Sequence, residues 1–315
     1  MSGRGSGVPL CFFMAGQKCR SPSPRLPALG CRSAAAATRV GVAGRVVIGL
    51  AEQQTLTVRI AVCVKQIPDP ANPGRLDPDT KTLVRDQKLI LDESDSYGVE
   101  MALQMAEASE GEVVVVSMAP NEEFGGLRTA LAMGADRAVL VSDEALAGSD
   151  ALGTAKVLAA AIRRAEPDLI LAATESTDGY TGTVPVQIAE LLGLPSVTFA
   201  KSVSLGDGEV TVQRQTEDGY DEVVCRLPAV LSVTAGVVEP RYPSFKGIMA
   251  AKNKPTDRLG ITDLGIEAGE IGWAGARQEI VEVAPVPARE AGEIVTDDGS
   301  GHERIVAYLE ELKVL

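Results

Sequence analysis

Apolar residues between positions 59 and 193 fall into two alternating patterns. Continuous β-branched runs of strand length are separated by segments in which apolar residues recur every three or four positions, as on one face of a helix. Acidic and Ser residues open the helical segments, and Gly134 ends one of them. Short alternating strands and helices are typical of a doubly wound, mainly parallel α/β sheet. The predicted strands are 59–67, 112–120, 138–142 and 169–174, and the predicted helices are 92–109, 122–133, 149–168 and one from Val184.

The pattern changes after about residue 195. Apolar and polar residues then alternate with a period of two, and the stretches Gly-Asp-Gly (206–208) and Glu-Asp-Gly-Tyr-Asp (217–221) supply turn signals. A small antiparallel β section is therefore predicted beside the parallel sheet. Beyond Lys254 the chain is rich in glycine and acid and holds one short amphipathic helix at 302–312. We expect residues 256–315 to form an extended tail that packs on a partner subunit.

The first 58 residues differ in composition from the rest. They are rich in Gly, Ser, Pro, Ala and Arg, carry seven basic residues and one acid, and have no helical or strand period. Two explanations are open: a transit-like targeting peptide, or a start set too early, with translation beginning near Val58. The second is favoured because a strand pattern begins abruptly at Arg59. We expect residues 1–58 to be a disordered extension, 59–255 to be the folded domain, and the location to be cytoplasmic, or the mitochondrial matrix if the extension is a transit peptide.

The charge of the folded part excludes several classes of function. The whole chain has a formal charge of −13 and the first 58 residues carry +6, so residues 59–315 carry −19. Such an acidic body would repel phosphate backbones, which argues against nucleic-acid binding. A single histidine, His302, leaves little room for histidine catalysis or a histidine metal site. The chain has no run of 18 apolar residues, so direct insertion into a membrane is not expected. Cys63 and Cys225 lie in apolar runs, which is typical of buried thiols in a reducing compartment.

The segment after the predicted strand 169–174 is the first candidate site. Small and hydroxyl residues there lie between a strand end and the helix that starts at Val184. In parallel α/β sheets ligands bind at strand carboxyl ends, where backbone N–H groups, hydroxyls and the helix dipole can receive a phosphate. An ordinary strand–helix connection is the alternative. The sequence there is neither a P-loop nor a GxGxxG fingerprint. The residues are Thr174, Ser176, Thr177, Gly179, Thr181, Gly182 and Thr183.

Two further segments point to binding, and none points to catalysis. Residues 63–65, 92–95 and Met118 should approach the same sheet edge and could line an adenine pocket, although helix capping by Asp92 and Ser94 explains part of the pattern equally well. Residues 237–255 combine apolar and basic side chains between prolines, as a docking surface does, although such a loop can also pack on its own domain. No Ser-His-Asp, Cys-His or paired-acid arrangement and no metal site can be assembled.

Four segments are specific in their order and spacing. They are RIAVCVKQIPDP (59–70), LRTALAMGADRAVLV (127–141), STDGYTGTVPVQIAE (176–190) and LPAVLSVTAGVVEPRYPSFKGIMAAKNKP (227–255). Over residues 59–265 the chain resembles the beta subunit of electron transfer flavoproteins. The resemblance implies an adenine-nucleotide-binding, Rossmann-like fold and an electron carrier rather than an enzyme. It also implies a heterodimer whose FAD is held mostly by the alpha subunit, with AMP buried in the beta subunit.

The resemblance implies partners as well. Acyl-CoA dehydrogenases of fatty acid oxidation, or other primary dehydrogenases, would supply electrons, and the electron transfer flavoprotein-quinone oxidoreductase of the membrane would receive them. The recognition loop would fall on 241–254, with Phe245 at the anchor position. Its docking residues would be Arg241, Tyr242, Phe245, Ile248, Met249 and Lys252. The nucleotide pocket would comprise Cys63, Asp92, Glu93, Ser94, Asp95, Met118, Ala173, Thr174, Glu175, Ser176, Thr177, Asp178, Gly179, Tyr180, Thr181, Gly182, Thr183 and Val184.

The chain departs from the family pattern at several positions. Residues 92–94 replace an Asn-Pro-Phe stretch, 179–184 replace an acid- and amide-rich run, Gln215 replaces an acid that pairs with the alpha subunit, and Phe245 replaces an aliphatic anchor. Three alternatives stay open. One is the beta subunit of a bifurcating electron transfer flavoprotein with a second FAD in the AMP site. The others are an unrelated ATP-binding enzyme of the adenylate-forming class and a stand-alone nucleotide-binding regulator.

Overall fold

The computed structural model describes residues 57–72, 74–119, 121–284 and 294–314. Eleven strands and seven α-helices lie within these ranges. The strands are β1 (Arg59–Cys63), β2 (Gln66–Pro68), β3 (Leu89–Leu91), β4 (Glu112–Ala119), β5 (Arg137–Ser142), β6 (Leu169–Ala173), β7 (Ser196–Leu205), β8 (Glu209–Gln215), β9 (Tyr220–Arg226), β10 (Ala229–Val233) and β11 (Thr256–Leu259). The helices are α1 (Glu93–Ser109), α2 (Gly125–Met133), α3 (Ala151–Ala165), α4 (Val184–Leu192), α5 (Phe245–Ala250), α6 (Gly272–Gly275) and α7 (Gly301–Glu311).

Nine of the described strands form one sheet, in the order β11-β5-β4-β1-β6-β10-β7-β8-β9. Neighbours from β11 to β7 pair parallel, and β7, β8 and β9 pair antiparallel. In the central strand β1, Ile60 lies opposite Val113 of β4 and Leu169 of β6. Helices α1 and α2 cover one face and α3 and α4 cover the other, which explains why the central strands are apolar throughout. The predicted doubly wound, mainly parallel α/β fold with a small antiparallel section is confirmed.

Two strand predictions were wrong in detail, and β11 was not predicted as a strand. The predicted strand 59–67 breaks after Cys63, and β2 instead pairs antiparallel with β3 in a separate two-stranded sheet. The period-two stretch ends in β10, which lies parallel between β6 and β7 and not in the antiparallel section. Strand β11 lies beyond the boundary predicted at residue 255 and extends the main sheet beside β5. The apolar pattern of a short strand does not encode its neighbour, so these placements depend on packing.

The two chain ends were predicted to be a disordered extension and a tail on a partner. Residues 1–56, where most of the predicted extension falls, lie outside the described ranges. Val58 is fully buried, and its carbonyl accepts a hydrogen bond from the Glu112 N–H at 3.2 Å, so it packs against the sheet directly before β1. Helix α7 forms where a helix was predicted and buries none of its residues. No helix in the described ranges is both long and apolar enough to cross a membrane.

Candidate functional site

A cavity of about 570 Å³ opens at the carboxyl ends of β1, β4 and β6, which are neighbours in the sheet. This is the sheet edge at which the sequence predicts nucleotide binding, and parallel α/β sheets bind ligands at such edges. Ten of the predicted pocket residues line the cavity. They are Cys63, Asp95, Met118, Ala173, Thr174, Glu175, Ser176, Thr181, Gly182 and Val184.

The predicted phosphate loop, residues 174–183, leads from β6 into α4 along one wall of this cavity. Gly182 has a φ of +67°, a left-handed conformation that favours glycine. Thr183, the N-cap residue of α4, makes no side-chain capping hydrogen bond, so the first N–H groups of the helix are not occupied by that side chain. An uncapped helix N-terminus favours an anion. The wall formed by Thr181, Gly182 and Val184 is therefore suited to a phosphate group.

Asp178 organises two cations at the same end of the cavity. The Lys65 Nζ donates to Asp178 Oδ1 at 2.6 Å and to Ser176 Oγ at 3.2 Å, and the Arg85 guanidinium also donates to Asp178. Burial opposes ionisation of this carboxyl, yet Lys65 and then Arg85 outweigh it and hold the pKa of Asp178 below its ordinary value. Lys65 and Arg85 line the cavity, whereas Asp178 itself does not. Asp178 therefore holds the two cations at the cavity wall without lining the cavity itself.

Asp92 joins the start of α1 to the phosphate loop. It is fully buried and caps α1 by accepting from the Ser94 N–H at 3.0 Å. Its other carboxylate oxygen accepts from the Thr177 N–H at 2.8 Å and from the Thr177 hydroxyl at 3.1 Å. The capping interpretation of Asp92 is thus confirmed, and the same side chain also holds the loop. Asp92 and Thr177 lie behind the cavity wall, not on it.

Asp95 and Cys63 are the buried titratable groups of the cavity wall. The Asp95 carboxylate accepts from the Lys65 N–H at 2.6 Å. Burial raises the pKa of Asp95 well above its ordinary value, against the opposing effect of that hydrogen bond. Burial, and secondarily the charge of Asp95, raises the pKa of the Cys63 thiol to about 12. Cys63 is therefore an unreactive thiol that contributes apolar surface to the pocket.

The remaining predicted pocket residues do not line the cavity. Glu93 and Tyr180 are exposed, and Tyr180 has a φ of +48° at the tip of the phosphate loop. At the start of α1 and in the phosphate loop, some side chains line the cavity and their neighbours do not, which a contiguous range taken from a family pattern cannot distinguish. The predicted residues outside the lining are Asp92, Glu93, Ser94, Thr177, Asp178, Gly179, Tyr180 and Thr183.

Several lining residues were missed by the sequence prediction. Lys65 falls in the strand-end segment 63–65 but not among the predicted pocket residues, and Arg85 lies between β2 and β3, in a segment for which no site is predicted. The remaining missed residues come from segments far apart in the chain, so no local motif marks them. They are Val64, Gln66, Thr82, Leu83, Leu89, Ala119, Leu146, Ala147, Gly148, Ser149, Asp150, Ala151, Thr154, Leu158, Ala172, Pro185, Trp273 and Gln278.

The predicted docking loop presents its apolar side chains to solvent. Tyr242 is 93% exposed and Phe245 is 81% exposed, and Ile248 and Met249 are about half exposed. These four residues, which we call the docking surface, project from α5 and the residue stretch before it. Lys252 lies beside them at a small basic pocket that also includes Arg128 and Arg258. Such large exposed apolar side chains with basic neighbours are typical of interaction sites.

Arg241 turns inward, away from the docking surface. Its Nε donates to Glu100 Oε2 at 2.7 Å and its Nη1 to Glu107 Oε1 at 2.6 Å, both on α1. Burial opposes ionisation of Glu100, whose side chain is 4% exposed, but the hydrogen bonds from Arg241 and Gln104 hold its pKa below the ordinary value. At the other end of the loop, Lys254 Nζ donates to three carbonyls at the end of α2, on Leu131, Gly134 and Ala135. The docking surface is thus clamped at both ends.

Neither a metal site nor histidine chemistry is found in the described ranges. No group of three or more His, Cys, Asp and Glu side chains there is arranged to hold a metal ion. His302 is exposed in α7 and is not among the residues that line the cavity. The described residues therefore offer a binding cavity and a docking surface.

The chain is similar to known proteins over most of its length. A family model described as the electron transfer flavoprotein domain matches residues 80–264. The chain is 42% identical over 263 residues to an electron transfer flavoprotein subunit beta of Mycobacterium bovis, which covers 81% of this chain and 99% of the relative. It is 38% identical over 257 residues to the protein of that name in Thermoanaerobacterium thermosaccharolyticum, covering 81% and 98%. It is 37% identical over 242 residues to the caffeyl-CoA reductase-Etf complex subunit CarD of Acetobacterium woodii, covering 76% and 92%.

Proposed function

Because the chain belongs to the electron transfer flavoprotein beta subunit family, we propose that its cavity binds AMP and that it pairs with an alpha subunit to carry electrons. The observation that carries the proposal is the cavity at the carboxyl ends of β1, β4 and β6. Its volume of about 570 Å³ lies within the roughly 300–1,000 Å³ typical of small-ligand pockets. The nucleotide would be structural, and FAD at the subunit interface would supply the redox chemistry.

The chemistry of the lining suits the two parts of a nucleotide. The phosphate would lie at the start of α4, beside Thr181, Gly182 and the Lys65 ammonium. The base would lie against the apolar part of the lining, which includes Cys63 and Met118. Asp92 ties the start of α1 to the phosphate loop, which would hold the walls of the nucleotide site together.

The docking surface supports the proposal of dehydrogenase partners. Tyr242 and Phe245 would enter an apolar pocket on an acyl-CoA dehydrogenase or another primary dehydrogenase, and Lys252 would contribute to the charged rim. The electron transfer flavoprotein-quinone oxidoreductase would be the acceptor. Helix α7 exposes Ile305, Val306 and Tyr308 and buries nothing, which supports packing of the tail on the alpha subunit. The free, buried Cys63 and Cys225 fit a reducing compartment such as the cytoplasm.

A dinucleotide is the second candidate occupant of the cavity. The lining extends from the start of α4 to Thr82 on one side and to Gln278 on another, which favours a ligand longer than AMP. A second FAD in place of AMP would correspond to the bifurcating alternative. The two candidates differ in the nucleotide that the purified protein releases.

Co-expression with the alpha subunit tests the proposal. The complex should purify as a yellow heterodimer, and denaturation should release FAD and AMP in about equal amounts, measured by chromatography and absorbance. Release of two FAD and no AMP would support the dinucleotide candidate. A colourless chain that does not bind the alpha subunit and releases no nucleotide would overturn the proposal.

A further inference from the structure

The chain crosses one side of the cavity after β11, in residues 271–281, which we call the strap. Ile271 anchors it, since its side chain is fully buried in the core beneath α3. Three strap N–H groups then donate to the loop before α3. The Gly272 N–H bonds Ser149 Oγ at 2.9 Å, the Trp273 N–H bonds the Ala147 carbonyl at 3.0 Å, and the Arg277 N–H bonds Asp150 Oδ2 at 2.7 Å. The strap is therefore fixed against the cavity.

The opposite end of the strap is held by the loop that carries Arg85. Lys81 Nζ donates to the Val281 carbonyl at 2.7 Å and to the Ile280 carbonyl at 3.2 Å. Thr82 and Leu83, which follow Lys81, line the cavity. The strap and this loop thus close neighbouring sides of one cavity.

Trp273 occupies a defined place on the strap. A Cβ atom built on Gly148 would lie 2.1 Å from Cδ2 of the indole, so the ring rests directly on the Gly148 backbone. Gly148 has a φ of +80°, which is a second reason for glycine there. The indole lines the cavity, yet it is 57% exposed. A large aromatic ring is thus held at a cavity wall with more than half of its surface uncovered.

We propose that Trp273 is a binding residue of the nucleotide site, and that the adenine ring stacks on its indole. The inference rests on the proposed nucleotide-binding function. An exposed aromatic ring that lines a concave site gains by covering its face with a flat ligand, and base–aromatic stacking is a well-established way of doing so. Leu146 and Leu158 add apolar surface to the same lining, which suits a base and not a phosphate.

Nucleotide affinity and tryptophan emission test this role. Trp273 is the single tryptophan of the chain, so subtracting the emission of a Trp273→Phe complex from that of the wild-type complex isolates its signal. AMP added to the nucleotide-stripped complex with the alpha subunit should quench that signal. Trp273→Leu should weaken AMP binding at least about fivefold in equilibrium dialysis, the lower range for loss of one stacking partner. Trp273→Phe, which keeps a ring, should lose less.

A matched control is Tyr220→Leu, which removes an aromatic ring of similar exposure (63%) from β9 at the far edge of the sheet. It should leave AMP affinity unchanged. If the wild-type complex binds AMP but Trp273→Leu binds it equally well and AMP leaves the emission unaltered, the stacking role is overturned while the proposed function stands. If Trp273→Leu no longer binds the alpha subunit but its AMP affinity is unchanged, the indole contacts the alpha subunit and the stacking role is overturned. If the wild-type complex binds no adenine nucleotide, the proposed function fails and the inference fails with it.

Discussion

Gly182 is a residue of the phosphate loop at which an added side chain would enter the candidate phosphate site. Its φ of +67° lies beside the start of α4, and a Cβ there would lie 3.5 Å from Glu175 Oε2, inside the cavity lining. Gly182→Leu should therefore exclude the nucleotide. Loss of a ligand present at 100–1,000 times its Kd lowers the free energy of unfolding by about 3–4 kcal/mol. Released AMP and the Tm of the purified complex measure the effect.

Gly193 provides the control, because it has nearly the same backbone conformation outside the site. Its φ is +68° at the end of α4, and a Cβ there would contact nothing within 4 Å. Gly193→Leu should lose only the roughly 1–2 kcal/mol of left-handed backbone strain that both variants share and should keep its AMP. Equal AMP content in the two variants would show that the phosphate loop does not contact the nucleotide.

Asp95 should make stability fall as the pH rises. Because its folded-state pKa is raised above the unfolded value of about 3.9, the unfolded chain ionises first, and the folded state loses about 1.4 kcal/mol per pH unit between the two pKa values. Asp95→Asn keeps an oxygen for the Lys65 N–H and removes this titration. The variant should gain stability over wild type as the pH is raised from 4, in urea unfolding at one fixed excess of AMP.

The exposed ion pair between Arg75 and Asp86 provides the control for the Asp95 prediction. Both of its side chains are largely in solvent, so Asp86→Asn should change stability by about 1 kcal/mol or less at any pH. Parallel pH profiles for Asp95→Asn and wild type would show that Asp95 ionises normally in the folded protein.

At the scale of elements, α5 and the preceding residues form the docking surface. Arg241, which bonds Glu100 of α1, and Lys254, which bonds carbonyls at the end of α2, fix the two ends of this segment. Phe245 is therefore held exposed, and binding a partner does not incur the ordering cost of a free loop. Anchors of this kind contribute about 2 kcal/mol or more when truncated. Phe245→Ala should therefore weaken electron transfer from an acyl-CoA dehydrogenase roughly 30-fold, at about 1.4 kcal/mol per decade. Flavin and AMP content should not change.

Two side-by-side measurements separate docking from electron chemistry. Dehydrogenase-dependent reduction of the flavin should fall in Phe245→Ala, whereas chemical reduction by dithionite should not. Val224→Ala, which shortens an exposed apolar side chain on β9, should leave both rates unchanged. A Phe245→Ala protein that is slowed equally in both measurements, or in neither, would show that α5 has a structural role only.

At the scale of the whole molecule, one continuous sheet carries both functional features. The cavity lies at the carboxyl ends of its central strands, and the docking surface lies beyond α1 and α2 on one face. Helix α1 links them, since Asp92 at its start bonds the phosphate loop behind the cavity wall and Glu100 bonds Arg241, which precedes the docking surface in the chain. A rigid helix thus fixes the positions of the two features relative to each other.

The sequence by itself determined the features that depend on local order. Neighbouring residues encode side-chain spacing, helix capping and left-handed backbone. The sequence therefore predicts the periods of the helices, the cap at Asp92, the end of α2 at Gly134 and the glycine-rich loop before α4. The exposed docking residues were found in the same way. These features gave the fold class and, together with the family resemblance, ten of the residues that line the cavity.

Only the tertiary structure decided which distant segments meet. It placed β10 between β6 and β7, brought Lys65 and Arg85 to Asp178, turned Arg241 toward Glu100, and set Trp273 of the strap against Gly148. The partners in each case are separated by tens of residues or more. A local pattern states that a strand is apolar or that a side chain is charged, but its partner depends on the packing of the whole chain.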